Sequence, residues 1–166
     1  MTKPAPMIDI LLADYNDPMH QQAILLLLDA YARDPMGGGQ GLDEEVKRNL
    51  LPRLAEQPGA FSILACVDGQ PAGLVNCFQT LSTFRARPLI NIHDVTVLPE
   101  YRGRGLSTAM LRKVEEIARQ RGCCKLTLEV LEGNEIARRA YRKFGFGGYE
   151  LDPALGQALF WEKKLS

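Results

Sequence analysis

The stretch Val95-Thr96-Val97-Leu98-Pro99-Glu100-Tyr101-Arg102-Gly103-Arg104-Gly105-Leu106-Ser107 constrains this chain more than any other. An apolar run ends in a basic loop spaced by Gly103 and Gly105, and the loop opens directly into an amphipathic helix. In that helix Leu106, Met110, Val114, Ile117 and Ala118 share one face, while Arg112, Lys113, Glu115, Glu116 and Arg119 share the other. A strand, a glycine turn and a helix in direct succession form a β–α junction, and such a junction can seat phosphates. The glycines let the backbone approach a ligand, and the first N–H groups of a helix have no intrahelical partner. The arginines and the positive end of the helix dipole add charge of the right sign.

The rest of the sequence bounds what that junction can serve. With 166 residues the chain is expected to form a single domain over residues 1–166, long enough to bury a continuous core. Its 20 Lys and Arg balance 20 Asp and Glu, so no global field draws it to nucleic acid or to an anionic membrane. No local patch joins basic and aromatic residues, so neither partner is expected. The longest apolar run, Ala23-Ile24-Leu25-Leu26-Leu27-Leu28, is far too short to span a bilayer. The N-terminus offers Lys3 and prolines but no apolar signal segment, which reads as a cytoplasmic protein. The cysteines fit that reading. Cys66 and Cys77 sit in apolar, strand-like runs as small buried thiols, Cys123 and Cys124 begin a strand, and no spacing suggests zinc.

Residues 7–12 read as a first strand, and Pro18 stands near the start of a helix running to about Arg33, a position proline tolerates. Residues 34–41 break that helix as a mobile, glycine-rich loop. Asp43 is expected to cap a second helix through about Gln57, with Pro52 forcing a kink or an early end. Residues 61–67 and 72–78 are strands joined by a turn at Asp68-Gly69, and residues 89–97 form another. Gly122 stops the helix that follows the glycine loop. Residues 125–130 alternate like a strand, Asn134 can cap a helix that Gly145 ends, and residues 149–151 and 158–165 close the chain as two strands. The fold class is α/β with a mixed sheet of about seven strands and four helices.

The loop fails two common nucleotide motifs. It has no Gly-x-x-x-x-Gly-Lys-Ser/Thr, and Gly103-x-Gly105-x-x-Thr108 lacks the third glycine of a dinucleotide fingerprint. The run Gly37-Gly38-Gly39-Gln40-Gly41 does not follow a strand. What the region resembles is the pyrophosphate-binding motif of the GCN5-related N-acetyltransferases (GNAT family), Arg/Gln-x-x-Gly-x-Gly/Ala. Arg102 and Gly105 match it, and Ser107 stands where the family has Gly or Ala. A second match follows in the right order: Asn134-x-x-Ala137-x-x-x-Tyr141-x-Lys143-x-Gly145-Phe146 resembles the family's later helix motif, and residues 160–165 its last strand.

The resemblance implies a mostly antiparallel GNAT-like sheet with splayed central strands and an acyl-CoA cosubstrate, most often acetyl-CoA, with no metal. Backbone N–H groups of Arg102, Gly103, Arg104, Gly105, Leu106 and Ser107 would hold the pyrophosphate. The pantetheine arm would lie between residues 92–97 and 126–130, pairing with the backbone at Val95 and Val97. One of the two arginines can equally be solvent-exposed. Asn134 would cap its helix, contact the arm, or do both.

Acetyl transfer to an amine needs a neutral nucleophile, and an alkylamine with a pKa near ~10.4 is mostly charged at neutral pH. A base or a water chain must take its proton. His93 is the candidate, on the strand leading to the loop and near where relatives often carry a base; the alternative is a histidine hydrogen-bonded within the sheet. Strand alternation puts neighbouring Asp94 on the opposite face. Tyr141 would protonate the departing thiolate and contact the cofactor, or else pack with Ala137 and Phe144 on its helix face. His20 reads as a surface residue, and Glu129 as sheet surface or part of an acceptor cleft. Tyr31, Asp34 and Asp94 are expected to bind the acceptor, with Met36 beside them, an aspartate pairing with an ammonium group. The reading is an acyl-CoA-dependent N-acyltransferase acting on a primary amine of a small molecule or peptide, by direct attack in a ternary complex. The alternative is a non-catalytic acyl-CoA-binding regulatory module. A homodimer is left open, and no cysteine is placed to carry an acyl group.

Overall fold

In the computed structural model, which describes residues 4–165, five strands form one sheet in chain order. They are β1 (Ile8–Leu12), β2 (Ala60–Val67), β3 (Gln70–Ser82), β4 (Arg87–Val97) and β5 (Leu126–Leu128). The first four pair antiparallel, and β5 pairs parallel to β4. The parallel pairing needs a crossover, and α3 (Leu106–Gln120) supplies it. The other helices are α1 (Pro18–Arg33), α2 (Glu44–Glu56) and α4 (Glu135–Phe144). Contacts gather the chain into two compact units, one up to Leu131 and one from Glu132 on.

Alternation along the strands sorts the first unit's core into two faces. Leu64 of β2 and Leu74 of β3 pack with Ala23, Ile24 and Leu27 of α1 and with Leu51 and Leu54 of α2. The residues between them face α3: a Cβ at Gly73 would run into the Met110 side chain. Leu106, Met110, Leu111, Val114, Ile117 and Ala118 make up the buried stripe of α3.

Helix α1 starts as its sequence dictates. Asp17 caps it by accepting from the Met19 and His20 N–H groups, with Pro18 in the first turn. His20 is half-buried, and its Nδ1 accepts from the Asp14 N–H at 2.9 Å, so it helps fix the helix start. Asp43 holds the N-cap position of α2 without a side-chain capping hydrogen bond. Pro52 does not end α2, which continues to Glu56. Buried Leu51 and Leu54 anchor the helix on both sides of the proline and outweigh its missing N–H.

Four local expectations are corrected. The segment after α1 is an internally bonded turn: Pro35–Gly37 is a short 3-10 helix, and Asp34 accepts from the Met36, Gly37 and Gly39 N–H groups. Cys123 and Cys124 precede the strand, although the Cys124 N–H already donates to the Pro88 carbonyl. The last strand of the sheet spans only Leu126–Leu128. No strand follows it among the described residues, so the sheet has five strands and not seven. Residues 149–151 and 158–165 are linked by a backbone bond from Ala158 N–H to Tyr149 O at 3.3 Å but form no ladder among the described residues. The Pro153–Leu155 turn and Gly156 separate them, and two short strands alone are marginal in water.

Candidate active site

The junction between β4 and α3 is built by backbone geometry. A 3-10 turn, Pro99–Tyr101, follows the strand, with Tyr101 N–H bonded to Leu98 O and Arg102 N–H to Pro99 O. Gly103 and Gly105 then both adopt φ of 75°, the left-handed region that glycine enters without strain. A Cβ at either position would point into open space, so the dihedral and not crowding demands glycine. The first helix-type bond of α3 runs from Ala109 N–H to Gly105 O at 3.0 Å. The N–H groups of Leu106, Ser107 and Thr108 therefore lie ahead of any intrahelical acceptor. Ser107, half-buried in the first turn, does not cap the helix.

Both arginine side chains brace this loop from outside. Arg102 Nε donates to the Val97 carbonyl at 3.0 Å, and its guanidinium stands 3.5 Å from Asp34 Oδ2. Arg104 donates to the Glu100 carbonyl at 3.2 Å and lies over the Tyr101 ring. What the loop presents to an anion is thus its backbone N–H groups, backed by two nearby positive charges.

Upstream, β4 outruns its parallel neighbour. The β4–β5 ladder pairs Ile90 with Leu126, Asn91 with Thr127 and Ile92 with Leu128, reinforced by Asn91 Nδ2 to Thr127 Oγ1 at 3.0 Å. There β5 stops, while β4 continues to Val97. Along that overrun Val95 pairs with Val75 of β3 and Val97 with Gly73, and among the described residues the other edge has no ladder partner. An unpaired strand edge is what an extended ligand arm can complete.

At the start of the overrun the β3–β4 register slips by one residue: Cys77 pairs with Ile92 and Asn76 with Asp94, leaving His93 as a bulge. A bulge breaks strict alternation and re-aims side chains. The expectation that His93 and Asp94 face opposite sides is corrected here. The His93 ring meets Phe78 edge-to-face, centroids 5.4 Å apart, while Asp94 Oδ2 accepts from Asn76 Nδ2 at 3.0 Å. Phe78 and Asn76 are two apart on β3, so both residues reach the same face, the one that packs on α1.

Tyr31, Asp34 and Asp94 come together electrostatically. Burial pushes the Tyr31 phenol above its ordinary range, and the Asp94 and Asp34 carboxylates push it further. Gly37 lies so close beneath this corner that a Cβ there would overlap the Tyr31 carbonyl oxygen. Met36 is exposed beside it. Glu129 is exposed just after β5. Sequence reasoning missed three residues that support Asp94: Asn76, Ser62 and Tyr15. Ser62 Oγ donates to Asn76 Oδ1 at 2.6 Å, and the Tyr15 hydroxyl lies 2.8 Å from Ser62 Oγ. The available signal was a polar residue at an inward position in each of two otherwise apolar strands.

In the second unit Asn134 caps α4, its Oδ1 accepting from the Ala137 N–H at 3.2 Å. Tyr141 sits on that helix, half-buried, edge-to-face with Phe146, which stacks on Phe144. Gly145, at φ of 114°, ends the helix as the sequence indicates. Three of the thiols are held in the protonated form by burial. Burial pushes Cys77 strongly upward, and Cys66 and Cys123 are also raised chiefly by burial.

This architecture is that of the N-acetyltransferase fold. The chain superposes on an aminoglycoside N-acetyltransferase in complex with CoA at a TM-score of 0.75 and 17% identity, covering 99% of this chain and 100% of that one. It superposes on an aminoglycoside acetyltransferase from an uncultured soil metagenomic sample, in complex with sisomicin, at 0.78 and 13% identity, covering 96% and 97%. Residues 24–146 match the acetyltransferase (GNAT) family, and the chain belongs to that family. Among curated relatives it is 38% identical over 90 residues to streptothricin acetyltransferase of Streptomyces lavendulae, covering 54% of this chain and 46% of that protein. It is 41% identical over 68 residues to thialysine N-epsilon-acetyltransferase of Bos taurus, covering 41% and 39%. The match thus spans less than half the length of these relatives.

Proposed function

We propose that the protein transfers an acyl group, most simply acetyl, from acyl-CoA to a primary amine of a small molecule or peptide. The observation that carries this reading is the continuity of β4 with the loop. An unpaired edge at residues 93–97 runs straight into two left-handed glycines and the N–H groups of the α3 start. One end suits an extended amide-bearing arm, the other a pyrophosphate, which is the order of groups along CoA. Backbone at Val95 and Val97 would pair with the arm, and N–H groups from Gly103 to Ser107 would take the phosphates, with Arg102, whose N–H already donates to Pro99 O, contributing its charge. Asn134 lies in the second family motif and is assigned to the same cofactor.

In the reaction the amine lone pair attacks the thioester carbonyl, a C–N bond forms and the C–S bond breaks. The amine's proton passes to His93, directly or through water, and Tyr141 gives a proton to the thiolate. The bulge supports the first role because it turns His93 to the face that carries Asp94 and adjoins Tyr31. Tyr31, Asp34 and Asp94 are assigned to the acceptor. The relatives' substrates, streptothricin and thialysine by name, are amine-bearing small molecules, in keeping with that assignment. Calorimetric titration with CoA and product analysis with acetyl-CoA and an amine panel test the reading. Micromolar CoA binding with acetylated product is expected; absence of product from every amine contradicts it.

A further inference from the structure

We propose that Asn76 is a positioning residue for Asp94, fixing that carboxylate as the anchor for a positively charged acceptor amine. The proposal deepens the N-acyltransferase reading and rests on it. Its basis is the direction of a buried hydrogen-bond chain. An amide oxygen can only accept, so Ser62 must donate its one proton to Asn76 Oδ1. Tyr15, 2.8 Å from Ser62 Oγ, must then donate to that oxygen. Asn76 Nδ2 can only donate, and it does so to Asp94 Oδ2. The chain Tyr15, Ser62, Asn76, Asp94 crosses from the segment between β1 and α1 over β2 and β3 to β4, and every donor points toward the carboxylate.

Ser62 is fully buried and Asn76 is 4% exposed, in register across β2 and β3. Two residues along, the equivalent pair is Leu64 and Leu74, part of the apolar core. An apolar pair would serve packing equally well at 62 and 76, without the cost of burying polar groups. The polar pair instead delivers one oriented donor to Asp94 at the residue where the bulge resets the strand. With Oδ2 held, Oδ1 carries no protein hydrogen bond among the described residues and is turned to a fixed place. Directional chains of this kind also polarise toward their acceptor. The partner that fits a held carboxylate beside the Tyr31 ring is a cation.

The test exchanges the two side chains, Asn76→Asp with Asp94→Asn. Every hydrogen bond of the chain is retained, but the negative charge moves inward from β4 to β3. Amine binding is measured by ligand-observed NMR with propylamine and ethylenediamine, ethylene glycol serving as the neutral control. Acetylation kinetics are measured in parallel. The exchange is expected to fold with a lowered melting temperature, because the carboxylate now sits at a position only 4% exposed. It should keep its KM for acetyl-CoA, weaken amine binding and raise the amine KM by about 10-fold. If the exchanged protein fails to fold, Ser62→Ala removes only the donor that fixes the amide and is expected to raise the amine KM about 3-fold. Native-like amine binding in a folded variant overturns the proposal and leaves the transferase reading standing. Asp94-dependent amine binding without acetylation supports the proposal and defeats the transferase reading. Failure of the native protein to bind either amine overturns the proposal.

Discussion

The His93 ring lies edge-to-face against Phe78, centroids 5.4 Å apart, because His93 is the one β4 residue with no partner across from Cys77 and Asn76. The contact holds the imidazole on the face of the sheet that also carries Asp94. If His93 accepts the amine's proton, His93→Ala lowers kcat by about 100-fold or more, within the usual range for general base catalysis. CoA affinity, measured by calorimetry, stays unchanged. A parallel loss in CoA binding would instead mark His93 as a structural residue of the bulge.

Tyr141 is proposed as the acid for the leaving thiolate. Tyr141→Phe keeps the ring that meets Phe146 and removes only the hydroxyl. Turnover should fall by roughly 10- to 100-fold, and an activated thioester with a better leaving group should recover much of the loss.

Gly103 and Gly105 test the phosphate loop. Each sits at φ of 75°, so Gly103→Ala or Gly105→Ala should cost about 1–2 kcal/mol of stability by strain alone. Where the strain is relieved by a shift of the loop, the N–H groups lose their common aim. CoA affinity should then fall more than acetyl-pantetheine affinity, since only CoA carries the pyrophosphate; calorimetry with both ligands reads the difference.

Arg102 ties Val97 and Asp34 to one guanidinium that is mostly solvent-exposed. Arg102→Ala should therefore change stability by less than about 1 kcal/mol, as exposed ion pairs generally do. It should weaken CoA more than that, with a salt dependence smaller than in the native protein, because the loop loses a positive charge.

Asp29 gives a pH dependence of known sign. Its carboxyl is held below the ordinary range, first by the hydrogen bond from Arg33 and then by the Leu42 N–H, which joins α1 to the segment before α2. A carboxyl depressed in the folded state contributes stability that is present above its unfolded pKa and lost as pH falls through the folded value. Denaturation midpoints should drop below about pH 4, and Asp29→Asn should flatten that part of the profile. A profile identical to the native one would contradict the assignment.

The parts of this molecule legible in its sequence are those set by near neighbours. The Val95 to Ser107 junction declares itself through two glycines, an apolar strand and a helix face that follow one another directly in sequence. Asn134 and Gly145 likewise mark the ends of α4 by local chemistry. The bulge at His93 was not legible, because it arises from how β3 and β4 count against each other and appears in neither strand alone. The same holds for the chain from Tyr15 to Asp94, whose members lie on four different segments. Residues 149–151 and 158–165 show the opposite failure: strand-like composition that forms no strand among the described residues, since alternation alone does not build a ladder.

The central claim, that an acyl group passes from CoA to an amine on this chain, is tested most directly by one assay. Purified protein is incubated with acetyl-CoA and each member of an amine panel, and thiol release and acetamide product are quantified together. The account predicts amine-dependent thiol release matched one for one by acetylated amine, lost in His93→Ala. Saturable CoA binding with no acetylated amine from any acceptor would contradict it and leave an acyl-CoA-binding module.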